Sequence, residues 1–107
     1  MADIWGALAQ VAPPATTLVN AYTVPANRVA TVEVMICNRG ADSVVRVAHA
    51  PGGAADAVSQ YLLYGAYAPA GETKVTSRFT MSAGDVLRVY AGTANVTFNV
   101  NGIEEDV

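Results

Sequence analysis

From Ala30 onward the chain alternates Ala30, Val32, Val34 and Ile36 with Thr31, Glu33, Met35 and Cys37, a hydrophobic period of two. Successive side chains on opposite faces are the property of a strand, whereas a helix repeats every 3.6 residues. The same alternation returns at Thr73, Val75, Ser77, Phe79 and Met81 against Glu72, Lys74, Thr76, Arg78 and Thr80. It appears again at Val96, Phe98 and Val100 against Thr97, Asn99 and Asn101. Valine occurs 16 times and threonine nine times, and β-branched side chains pack well on a pleated surface while losing rotamer freedom in a helix.

Further strands are expected at Leu18–Val24, Val44–His49, Gln60–Tyr64 and Val86–Ala91. Turn residues separate them at Pro25-Ala26-Asn27, Asn38-Arg39-Gly40, Pro51-Gly52-Gly53, Pro69-Ala70-Gly71, Ser82-Ala83-Gly84-Asp85 and Gly92-Thr93-Ala94-Asn95. Gly53–Ser59 has room for one helical turn. Seven or eight short strands with no helix between them predict an all-β antiparallel β-sandwich, jelly-roll-like, rather than a parallel α/β sheet. An immunoglobulin-like sandwich has the same alternation, so strand order stays open. A chain of 107 residues forms one domain, read here as a sandwich over 16–107 preceded by an apolar N-terminal arm over 1–15.

In that arm Ile4, Leu8 and Val11 fall at helical spacing and Asp3 could cap a helix, but Gly6 weakens it and Pro13-Pro14 ends it. An extended arm is the equal alternative. Either way Ile4, Trp5, Leu8 and Val11 need an apolar surface, which is either the chain's own core or another chain on which they dock. At the other end Glu104-Glu105-Asp106 lacks the spacing of a calcium loop and reads as a solvated acidic tail.

Charge and composition remove several functions. Net charge is −3 and the six Lys+Arg are scattered, unlike a phosphate-binding surface, so no nucleic-acid partner is expected. No apolar run reaches the length of a membrane span, and the first 27 residues hold no Lys or Arg where a secretory leader would be basic. One cysteine, Cys37, excludes an internal disulfide framework and a multi-thiolate zinc site.

Catalysis requires a nucleophile, a base and a group that orients the base. The single histidine, His49, ends a strand, and Cys37 sits in an apolar strand as a small packed hydrophobe. None of the four serines occupies a nucleophile elbow. Glu33, a carboxylate in a mostly apolar strand, is expected to form an ion pair across strands, with Arg46 or Arg88, or across subunits. No enzyme, cofactor or metal site is expected. Tyr61, Tyr64 and Tyr67 remain as candidates for a subunit interface or a glycan contact. The odd separation of Tyr61 and Tyr64 sets them on opposite faces of a regular strand.

The segments Ala21-Tyr22-Thr23-Val24-Pro25-Ala26, Val34-Met35-Ile36-Cys37-Asn38-Arg39, Tyr61-Leu62-Leu63-Tyr64 and Ala83–Ala91 occur in an order that resembles a family of small bacteriophage virion proteins. The likeness runs from about Pro14 to Gly102 and transfers no catalytic residue. It implies a β-sandwich subunit on a phage particle, assembled in the bacterial cytoplasm as a symmetric homo-oligomer, a trimer by the usual symmetry of capsids and fibres. The implied role is capsid decoration, cementing neighbouring copies of the major capsid protein. The alternative is a tail-fibre, head-spike or baseplate accessory with a receptor glycan.

Overall fold

A computed structural model describes residues 3–106; Met1, Ala2 and Val107 lie outside the described residues, including the first two residues of the expected arm. The chain forms nine strands: β1 (Ile4–Val11), β2 (Val19–Thr23), β3 (Arg28–Asn38), β4 (Ser43–Ala50), β5 (Tyr61–Ala68), β6 (Thr73–Val75), β7 (Phe79–Met81), β8 (Val86–Ala91) and β9 (Val96–Asp106). They build two antiparallel sheets packed face to face. One runs β1-β9-β3 and then β6, with β7 also on β3; the other runs β2-β8-β4-β5. The all-β sandwich read from the alternation is the fold.

The core lies between the sheets and is built from the inward halves of the alternating strands. β3 contributes Ala30, Val32, Val34 and Ile36, and β9 contributes Val96, Phe98 and Val100. β4 and β8 face them with Val45, Val47, Leu87, Val89 and Ala91. Branched and aromatic side chains alternating with polar ones let each strand bury one face and leave the other in water.

Four differences from the sequence reading have physical causes. The N-terminal segment takes the extended alternative, but instead of standing apart from the sandwich Ile4–Val11 pairs with β9 and becomes the edge of its sheet, with Leu8, Ala9 and Val11 against the core. Extended backbone satisfies its main chain through β9, whereas a helix holding Gly6 would lose propensity. The expected strand over 72–81 is broken into β6 and β7, because Thr76 turns inward to the β3 ladder, its Oγ1 accepting from Val34 N at 3.0 Å. The Gly53–Ser59 segment has no α-turn; short 3₁₀ turns form at Pro51–Gly53 and Val58–Gln60.

The fourth difference is the acidic end. β9 continues past Gly102 to Asp106, and Glu104 is only 6% exposed. It accepts a hydrogen bond from the Tyr22 hydroxyl, and Arg28 lies 3.8 Å away, itself 3.5 Å from Asp106. The alternation of β9 turns Glu104 inward and leaves Glu105 exposed, so only part of the tail is solvated. Gly102 makes this continuation possible. A Cβ there would lie 2.0 Å from the Thr31 carbonyl oxygen and 2.8 Å from Val32 Cα, so only glycine lets β9 lie this close to β3.

Candidate functional site

Strand β5 carries the three tyrosines and is the edge of its sheet. Opposite Val44, Arg46 and Ala48 of β4 lie Tyr67, Tyr64 and Tyr61. Two residues on one strand therefore face three on the other, twice over, because the register shifts between Val45 and Arg46 and between Val47 and Ala48. The residues in excess are Gly65, with φ of +66°, and Leu62, which is exposed. Each extra residue reverses the alternation once, so a spacing of three behaves as a spacing of two. All three tyrosines share the outer face, contrary to the odd-separation argument. Tyr61 and Tyr64 stand edge to face with ring centroids 4.9 Å apart. The expected strand ends at Tyr64, so Gly65, a glycine of the kind that marks a bulge inside a strand, falls beyond it, whereas β5 runs on to Ala68.

Across the sheet the row continues. Arg46 is opposite both Tyr64 and Tyr90, and its guanidinium lies 4.4 Å from one ring centroid and 4.3 Å from the other. A cation held between two rings gains from both π-faces and stiffens the surface. In the next row Arg88 bonds Asn20 Oδ1 and the carbonyls of Gly53 and Ala54, which ties the 51–60 loop onto the sheet. Both arginines thus lie on the outer face of the β4–β8 sheet, while Glu33 lies on the outer face of the other one, roughly 10 Å of core away. The expected Glu33 pairing with Arg46 or Arg88 is therefore not made. Glu33 shares a shallow hollow with Arg78 and Trp5 instead.

One end of the tyrosine row is fixed by Asn38. Its Nδ2 donates to Ala41 O and Ala68 O, both at 2.8 Å, and its Oδ1 accepts from Gly40 N at 3.0 Å. That clamp holds the 39–42 turn beside the end of β5. Asp42 then accepts from the Tyr67 hydroxyl at 2.7 Å and from Ala70 N at 2.8 Å. The Tyr67 hydroxyl and the Ala70 amide hold the Asp42 carboxyl below the usual range, and the same bond raises Tyr67. Tyr61, raised by burial and then by its bond to Asp56, is anchored at 3.2 Å to that carboxylate.

His49 and Cys37 do not meet. β3 and β4 are joined by the turn next to Cys37, so His49 lies toward the far end of β4. Cys37 is half-buried on an outer face rather than packed in the core. His49 Nε2 lies 2.7 Å from Asp85, which also accepts from Gly52 N and Ser82 N. Burial would raise the Asp85 carboxyl, but these three bonds outweigh it and the group stays below its ordinary value. Through these bonds Asp85 joins the end of β4 to the turns at Gly52 and Ser82. No group of three or more metal-ligating side chains gathers among the described residues, and no helix is long and apolar enough to cross a membrane.

The arm residues divide. Leu8 and Val11 pack on the core, whereas Ile4 and Trp5 are exposed, Trp5 at 76%. In comparisons with known proteins, no family model, no curated protein and no solved structure matches this chain.

Proposed function

We propose that this chain is a non-enzymatic structural subunit of a phage particle, a decoration protein that oligomerises and clamps neighbouring copies of the major capsid protein. One observation carries the assembly half of this reading. Strand β1 is a free sheet edge with no charged residue between Ile4 and Val11, and it displays Trp5 and Ile4 to solvent. Folded proteins blunt free edges with charge, proline, a bulge or a cover; β1 has only the bulge between Ala7 and Ala9, and its uncharged edge beside an exposed indole suits burial by another subunit. The virion half rests on the resemblance of the ordered segments from Pro14 to Gly102. Successive strands mostly cross from one sheet to the other, the wrapping expected of a jelly roll, which supports the same architecture. A homotrimer bound to a major capsid or other virion protein is the proposed assembly.

The three tyrosines on one outer face favour a second reading, a fibre, head-spike or baseplate accessory that touches a receptor. The test is copy number per purified particle of the source phage, by quantitative mass spectrometry against the major capsid protein. A number on the scale of the capsid protein is expected for decoration. A few to a few tens of copies would transfer the chain to a tail or vertex, and absence from the particle would overturn both readings.

A further inference from the structure

Beside Tyr67 the surface dips into a hollow of about 280 Å³ lined by Asp42, Ser43, Val44, Tyr67, Gly92 and Thr93. We propose that this hollow is a binding subsite for a neutral hexopyranose, with the sugar ring on Tyr67 and its hydroxyls on Asp42. The proposal deepens the receptor-contact reading of the tyrosine row, yet it concerns the isolated chain and holds wherever the chain sits on a particle.

The chemistry of the lining selects the ligand. Tyr67 is 58% exposed and Val44 45% exposed, which gives a wet aromatic and aliphatic wall of the kind that C–H-rich sugar faces cover. Asp42 is a fixed acceptor: one oxygen takes the Tyr67 hydroxyl and the other the Ala70 amide, and each keeps a free lone pair for a sugar hydroxyl. Because Asp42 keeps its negative charge, phosphates and acidic sugars are repelled. Thr93 lines the same hollow, and its hydroxyl, which water does not reach, takes no part in holding the ligand.

The site is also held in advance. Asn38 pins the turn bearing Asp42 to the end of β5. The 92–95 turn is fastened to β4 by Gly92 N to Val44 O at 2.9 Å and Thr93 N to Ser43 Oγ at 3.2 Å. Little ordering is therefore left for a ligand to impose. Tyr64 lies one strand step of about 7 Å further along the edge, placed for the next residue of a glycan chain.

The test is a ¹H–¹⁵N NMR titration of the full chain with the methyl glycosides of glucose, galactose, mannose and N-acetylglucosamine. Binding of at least one in the millimolar range is expected, with the largest shifts at Asp42, Tyr67, Gly92 and Thr93. Tyr67→Ala and Asp42→Asn should each weaken that binding roughly tenfold. Asparagine can still accept from Ala70 N, so its melting temperature checks that the turn survives, and Tyr64→Ala should leave monosaccharide affinity unchanged. No shift with any of the four up to about 100 mM, shifts confined to other residues, or undiminished binding in both variants would overturn the proposal. So would binding of a lysine-rich peptide alone, which would mark Asp42 and Tyr67 as a cation site. None of these results alters the particle copy number, so the subsite and the virion assignment can fail separately.

Discussion

Tyr22, Glu104 and Arg28 form the most consequential polar group in the molecule, because they join the two sheets through a buried contact. Tyr22 reaches from β2 and Glu104 from β9. Tyr22→Phe removes the donor and leaves a buried carboxylate short of a partner, a loss expected to cost about 1–3 kcal/mol in urea unfolding. Burial, and then the bond to Glu104, push the Tyr22 hydroxyl well above its ordinary 10.0. A phenol that ionises more readily unfolded than folded stabilises the fold below the unfolded value and withdraws that support above it. Stability should therefore decline as pH rises past 10, and the decline should be shallower in Tyr22→Phe. Asp85 has the opposite sign. Its folded value is depressed below 3.8, so its contribution is complete above that pH and is lost as pH falls through the lower folded value. Asp85→Ala should cost about 2 kcal/mol at neutral pH and flatten the acid limb of a pH-stability curve.

At the scale of elements, β9 decides most. It pairs with β1 on one side and β3 on the other, and the close approach at Gly102 admits no side chain. Gly102→Ala forces backbone apart over a ladder that runs from Arg28 to Asn38, and a loss of about 3 kcal/mol is expected in thermal or urea unfolding. Removing residues 1–12 takes away β1, uncovers one edge of β9 and strips Leu8, Ala9 and Val11 from the core. A lowered melting temperature follows, which sets β1 apart from a detachable arm. The strands were legible wherever alternation was unbroken, as in β3, β8 and the first half of β9. They were misread where one residue altered the phase. Gly65 and Leu62 brought the tyrosines to one face and Thr76 split the 72–81 strand, whereas β9 kept its phase past Gly102 to Glu104, beyond the strand's expected end. Alternation reports the face of a residue only relative to its neighbours, and a bulge resets that reference without changing composition. Arg46 is a similar case: its two ring partners come from different strands and only pairing order reveals them.

For the whole molecule, the two sheets present unlike surfaces. The outer face of the β4–β8 sheet is aromatic and polar, fixed by Arg46 and Arg88. The other sheet ends in the uncharged β1 edge and displays Trp5, Met35 and Val75. If one surface assembles and the other stays free for contact, Trp5→Lys should weaken self-association or particle attachment while leaving the melting temperature within about 1 °C, since an exposed side chain contributes little to folding. Sedimentation of the purified variant beside the parent checks this, and an unchanged assembly would assign the contact elsewhere.

Trp5 is also the sole tryptophan. Standing three-quarters in water, it gives the free chain a single indole with the red-shifted, readily quenched emission of a solvated ring. Any partner that covers β1 must turn that emission blue and shield it from iodide. The protein thus carries its own optical reporter of any contact made at β1, separate from the tyrosines that would report a sugar.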